Sequence, residues 1–191
     1  ASLLIPARAA IAGDYKRFLE RSAKIQMGLL ICVYALSYAP ALLDLDLTTT
    51  DGTPWMGSNV SVLVFFLLLA QLASVLERGW SKLAGRHVIA EKINASRTWE
   101  GVVGSVLTTG LIAAALCWAT PFHPWEAGIL GAVVTVMACA GTMTMSAIKR
   151  DRGVTDTGTL VQGHAGLLDQ IDNVCFAAPV FYHLTRFFWT A

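Results

Sequence analysis

Between Ser146 and Asp172 the sequence gathers the residue types that handle phosphate groups. In fewer than 30 residues stand Lys149, Arg150 and Arg152, the carboxylates Asp151, Asp156, Asp169 and Asp172, a single histidine, His164, and Gly153, Gly158, Gly163 and Gly166. Mg²⁺ takes oxygen ligands, typically one or two carboxylates together with substrate phosphates. Lysine and arginine neutralise phosphate oxygens and the charge that grows on a pyrophosphate leaving group. Glycine lets the backbone approach a ligand closely. The combination suits a nucleoside triphosphate carried with magnesium.

Each position also has a plainer reading. Asp169 and Asp172 are three apart, so a helix beginning near Leu167 puts both on one face over its first turn. Carboxylates there serve as metal ligands or as ordinary capping and dipole residues. Lys149 and Arg150 follow an apolar run, where basic membrane anchors are expected as readily as phosphate binders. Asp156 is a ligand or the Asx-turn partner of Gly158. His164 is a general base, a phosphate donor or a plain loop histidine. Asp151, flanked by Arg150 and Arg152, balances surface charge. Spacing alone leaves these alternatives open.

The elements that must hold this segment are apolar. The chain of 191 residues is 55% hydrophobic and 14% charged, with a net charge of +1. A soluble domain carries about 25% charged residues, and a net charge this small provides no broad basic surface for nucleic acid. Cys32, Cys117, Cys139 and Cys175 lie in apolar stretches without metal-binding spacing, as buried free thiols do. Four blocks match the roughly 20 apolar residues of a spanning helix: Ile25–Leu43, Asn59–Leu76, Val102–Ala119 and Ala127–Ile148. A fifth, Val174–Trp189, is interrupted by Pro179, His183 and Arg186, and proline is tolerated in membrane helices. The opening Ser2-Leu-Leu-Ile-Pro-Ala-Arg8 is expected to be the tail of an earlier apolar segment. Nothing there has the form of a cleaved signal peptide.

The connections alternate in charge. Thirteen of the 14 basic residues fall before the first helix, between Glu77 and Gly101, or between Lys149 and Asn173. Asp44–Gly57 and Thr120–Glu126 carry none. The positive-inside rule makes the basic side cytoplasmic. The expected fold is therefore all-α: a polytopic membrane helix bundle of about five helices, forming one membrane-embedded domain with two long cytoplasmic loops. The four clear spans have no charge at mid-depth, which weighs against an ion transporter.

At this point the segment resembles a family. Ser146-x-x-Lys149-Arg150, then Asp156, then Gly163-His164-x-Gly166, then Asp169-x-x-Asp172 is similar to the signature of phosphatidate cytidylyltransferases, also called CDP-diacylglycerol synthases. Arg97-Thr98-Trp99-Glu100-Gly101 is similar to that family's Lys-Thr-Trp-Glu-Gly element, and Gly85-Arg86-His87 fits as well. The likeness runs from about Gln71 to the C-terminus. It implies an enzyme of a bacterial inner membrane, its site facing the cytoplasm, that joins CTP to phosphatidate with Mg²⁺ and releases pyrophosphate. It implies Asp156, Asp169 and Asp172 as metal and triphosphate residues, and Lys149 and Arg150 as phosphate binders. It implies His164 as a site residue, with Arg97, Thr98, Glu100, Ser146, Gly163 and Gly166 lining the substrates. A homodimer is an implied arrangement. Nucleic acid is not an expected partner.

The chain departs from the family pattern at polar positions. Thr155 and Gln170 stand where the family usually has a lysine and an arginine, Ala165 where it has a glycine, Ser74 where it has an aspartate, and Asn94-Ala95 where it has Ser-Pro. Arg97 replaces a lysine, which keeps charge but changes geometry. Two missing cations imply weakened catalysis, or a relative that binds lipid or nucleotide as a membrane partner.

Overall fold

The computed structural model describes residues 18–151, 153 and 167–190, with Arg21 and 167–171 as helix backbone. It is a helical bundle with one small hairpin. The first rod runs continuously from Phe18 to Asp44: α1 (Phe18–Leu29), a π-helical stretch (Leu30–Ala35), α2 (Leu36–Ala41) and a closing 3₁₀ turn (Leu42–Asp44). Pro40 lies in α2 and lacks the N–H that would continue the regular ladder. α3 (Asn59–Ala84) follows, capped by Ser58, whose side chain accepts from the Val60 N–H. Then come β1 (Val88–Ala90), β2 (Asn94–Thr98), α4 (Trp99–Ala115), a 3₁₀ turn (Cys117–Ala119), α5 (Pro124–Asp151) and α6 (Leu167–Trp189).

The expected five helical rods are present, but their polar ends are longer than the apolar blocks alone indicated. α3 has 26 residues. At 1.5 Å per residue that is about 39 Å, against a hydrocarbon core of about 30 Å. Its last turns, with Glu77, Arg78 and Lys82, continue beyond the apolar block as helix. In the same way α5 extends through Lys149 and Arg150 to Asp151, and α6 begins at Leu167. Both flanks of the signature segment are thus helix ends. The stretch Glu77–Gly101, expected as a loop, contains the end of α3 and the antiparallel pair β1–β2, which pairs Val88 with Thr98 and Ala90 with Asn94 across a shift in register.

Among the described residues three rods are long and apolar enough to cross a membrane: Phe18–Asp44, Asn59–Ala84 and Pro124–Asp151. α4 is apolar but shorter. Large apolar side chains such as Leu107, Leu111, Ile129 and Phe187 are exposed, the arrangement of a bundle whose outer surface meets lipid. The chain is an integral membrane protein. Inside, Phe66 stacks on Phe181 with ring centroids 5.0 Å apart, and Phe122 packs edge-on against Trp189 at 4.8 Å. Small residues allow helices to touch: a Cβ built on Gly131 of α5 would lie 2.6 Å from the Ala113 methyl of α4.

Candidate functional site

The hairpin brings the two family-like elements together. Its turn is closed by Ile93 N–H donating to Ala90 O at 3.0 Å. Arg150 Nε donates to the Ile93 carbonyl at 3.3 Å, and Asn94 Nδ2 donates to Ser146 Oγ at 3.3 Å. The end of α5, with Ser146, Lys149 and Arg150, is therefore fastened to the segment that carries Arg97. Asn94 also organises its own turn, its Oδ1 accepting from Ser96 N and Ser96 Oγ.

Arg97, predicted to line a substrate, is buried at 4% exposure, and its Nη1 donates to Glu77 Oε2 of α3, itself 2% exposed. The other Glu77 oxygen accepts a thiol contact from Cys139 of α5 at 3.6 Å. Burial holds the Arg97 pKa below its ordinary value, while Cys139 and the Asp172 carboxylate act to raise it. Asp172 is thus within electrostatic reach of the guanidinium. Its Oδ1 accepts from Asn173 N at 2.6 Å, and Asn173 Nδ2 reaches α3, donating to Ala70 O at 2.7 Å and Ser74 Oγ at 3.0 Å. The polar layer is made of α3, β2, α5 and α6. The α5–α6 approach needs a glycine, because a Cβ on Gly141 would lie 2.6 Å from the Asp172 carbonyl oxygen.

Thr98 and Glu100 have structural partners. Thr98 caps α4 by accepting from Gly101 N at 3.1 Å and donates to Ser81 Oγ at 3.1 Å. Glu100 Oε2 accepts from Arg86 N and His87 N at 3.2 and 3.1 Å, and its Oε1 lies 2.5 Å from His87 Nδ1. That last contact is the main reason its carboxyl is pulled down to about 2. The Arg-Thr-Trp-Glu-Gly element thereby attaches the hairpin to α3 and starts α4, which is the helix-start reading of those residues. Gly101 sits against Ser81, whose hydroxyl would meet an added Cβ at 2.0 Å.

Asp156, Gly163, His164 and Gly166 lie outside the described residues, as do Thr155 and Ala165. Asp169 and Gln170 are placed as backbone of α6. Asp169 and Asp172 do share a helical face, as their spacing predicts. Of the three predicted metal ligands, Asp172 has a described side chain: buried, anionic in type, with oxygen donors suited to a hard cation. Those residues fit Mg²⁺ in ligand chemistry. Among the described residues no three His, Cys, Asp or Glu converge.

Sequence reasoning missed Glu77, Ser74 as a hydrogen-bond partner, and Asn173. Glu77 fell just past an apolar block and was taken as the first residue of a charged loop. Its partner is 20 residues away, across an unforeseen hairpin. A signal existed: Ser74 and Glu77 are three apart in a continuous helix, hence on one face.

A family model described as the cytidylyltransferase family matches residues 3–188. The uncharacterized protein YnbB of Escherichia coli strain K12 is 35% identical over 188 residues, 97% of this chain and 60% of that protein. The phosphatidate cytidylyltransferase of Mycobacterium leprae is 36% identical over 121 residues, 61% of this chain and 38% of the enzyme. That of Haemophilus influenzae is 28% identical over 158 residues, 80% of this chain and 54% of the enzyme. The chain spans 60% or less of the length of these three relatives. A family match over nearly its whole length and the joined signature elements at one end of the bundle establish that this chain belongs to the cytidylyltransferase family.

Proposed function

We propose that this protein transfers the cytidylyl group of CTP to phosphatidate, giving CDP-diacylglycerol and pyrophosphate, on the cytoplasmic face of a bacterial inner membrane. The observation that carries this reading is the junction of the two family-like elements, through Arg150–Ile93 and Asn94–Ser146, at the end of the bundle where Asp172 is buried.

A phosphatidate phosphate oxygen would attack the α-phosphorus of CTP. The new P–O bond forms as the bond from the α-phosphorus to its bridging oxygen breaks, and pyrophosphate leaves with that electron pair. The lipid is itself the nucleophile, so no activated serine or cysteine is required. Lys149 and Arg150, in the last turn of α5, would neutralise phosphate oxygens. Asp172, with Asp169 and Asp156, would hold Mg²⁺. When bound, that ion supplies charge neutralisation on the triphosphate. His164 is assigned to the same site through its place in the signature.

A weakened site is the second reading, and Ser74 and Arg97 favour it. Ser74, where the family pattern it resembles usually has an aspartate, is buried and bound to Asn173. The Arg97 charge is already balanced by Glu77. Membranes containing the full-length protein, given labelled CTP, phosphatidate and Mg²⁺, should incorporate label into lipid. Label no higher than that of an Asp169→Asn control would refute the transferase reading. Faster labelling by Thr155→Lys or Gln170→Arg would identify those positions as the source of weakness.

A further inference from the structure

Glu77 has no assigned role, yet it is a carboxylate buried at 2% exposure near the end of a membrane-spanning helix. Removing a carboxylate from water is costly unless a cation and further donors meet it. Glu77 has both, Arg97 from β2 and the Cys139 thiol from α5. Arg97 also feels the charge of Asp172, a predicted metal residue on α6. One guanidinium is therefore paired with Glu77 and acts on the candidate site's Asp172 only at longer range. The residue after Asp172 is tied to the same face of α3, through Ala70 and Ser74, about two turns and one turn before Glu77.

We propose that Glu77 is a positioning residue of the site: by holding Arg97 in its buried place it fixes where α6 sets Asp172. Its effect on turnover rests on the cytidylyl-transfer reading; its effect on α6 does not. Arg97 is buried with its Nη1 engaged by Glu77, so it is not an open phosphate clamp.

The pair differs from a purely structural ion pair in a testable way. Replacing both members of a buried pair by apolar residues of similar size is often neutral for stability, whereas removing one strands a charge. The full-length protein is compared with Glu77→Asp, which keeps the charge but shortens its reach, and with the double variant Glu77→Met/Arg97→Met. Three quantities are read: the thermal midpoint in detergent, kcat and KM for CTP in lipid labelling, and the alkylation rates of Cys139 and Cys175 by peptide mass. Cys175 is buried one turn beyond Asp172 on α6, so its rate reports on that helix start.

Expected for the double variant is a thermal midpoint near wild type with kcat down about ten-fold or more and KM for CTP little changed, the pattern of misplaced groups rather than lost binding. Glu77→Asp should lower kcat in the same sense and speed Cys175 alkylation. Recovery of both midpoint and kcat in the double variant makes the pair structural only and overturns the proposal. If the double variant does not fold, Glu77→Asp decides alone: wild-type kcat and wild-type Cys175 reactivity overturn it. If wild type itself transfers no label, the cytidylyl-transfer reading fails. The positioning claim then stands on faster Cys175 alkylation in Glu77→Asp and falls without it.

Discussion

Both ends of this bundle bury a glutamate, and they satisfy it by different means. At one end Glu126 of α5, 6% exposed, accepts from the Thr50 hydroxyl at 2.7 Å and from His123 N at 2.8 Å, while Trp189 Nε1 donates to Thr50 at 3.2 Å. Among the described residues its donors are neutral, and they close the 44–58 connection over the ends of α5 and α6. At the other end Glu77 is met by a guanidinium whose charge also reaches Asp172. Neutral donors make a closed knot with no charge to offer. A cation paired with one carboxylate and within the field of another makes an arrangement whose electrostatics extend to the signature segment. Burial of a carboxylate is therefore not by itself a mark of chemistry; the partner decides.

The largest separation between the ends should come from the two acids themselves. Asp172→Asn removes a candidate ligand charge and should lower CTP-dependent lipid labelling by about 10²-fold or more, the scale of losing one preorganised electrostatic group. Glu126→Gln should leave labelling at the wild-type rate. Loss of labelling in Glu126→Gln at an unchanged thermal midpoint would erase the contrast.

Stability should divide the ends next. Arg97→Met leaves Glu77 buried and unpaired, which should cost about 3–5 kcal/mol. Thr50→Ala removes one neutral donor from Glu126 and should cost about 1–3 kcal/mol. Reversible unfolding in mixed detergent gives both numbers, and equal losses would show that the guanidinium contributes no more than a hydroxyl.

The sequence revealed the helices because a membrane demands long apolar runs and a charge bias between them, and both are linear features. Asn59–Leu76 and Ala127–Ile148 were recognisable for that reason. The hairpin was not: its strands are three and five residues long, β2 is the polar run Asn94-Ala-Ser-Arg-Thr98, and no Asn-Gly or Asp-Gly marks the turn. The Glu77–Arg97 pair depends on that hairpin and so was hidden with it. Thr98 and Glu100 show a different limit. Their local pattern as a helix start was legible, and the family likeness pointed to substrate; the contacts made in the structure are those of the helix start. Lys149, Arg150, Asp169 and Asp172 were singled out as candidates by family spacing, since each has a bland explanation when taken alone.

A smaller test uses the two close glycine contacts on one helix. Gly131 faces Ala113 and Gly141 faces the Asp172 carbonyl, each with space for an added Cβ reduced to 2.6 Å. Alanine at either position should destabilise by about 1–3 kcal/mol through overpacking. Gly141→Ala should also lower labelling, because relief of the clash displaces the start of α6, whereas Gly131→Ala should not. Comparable labelling in the two variants would place no special demand on the α6 start.

The smallest effect concerns how firmly the hairpin is held. Glu100 titrates at about 2 in the folded chain, chiefly through the hydrogen bond with His87, against about 4.3 for a glutamate in an unfolded one. A depressed acid stabilises the fold in full above the higher of these values. That contribution declines as pH falls from about 4.3 through 2, where the unfolded chain binds the proton more readily. With 28% of the Glu100 side chain and 78% of the His87 side chain accessible to water, solvent screens the contact and the change is small. Exchange of the Trp99 amide, which donates to His87 O at 3.0 Å, should quicken across that pH range after correction for intrinsic rates. His87→Ala should flatten the dependence. A wild-type profile already flat between those values would mean that the backbone donors of Arg86 and His87, rather than the imidazole, hold Glu100 in place.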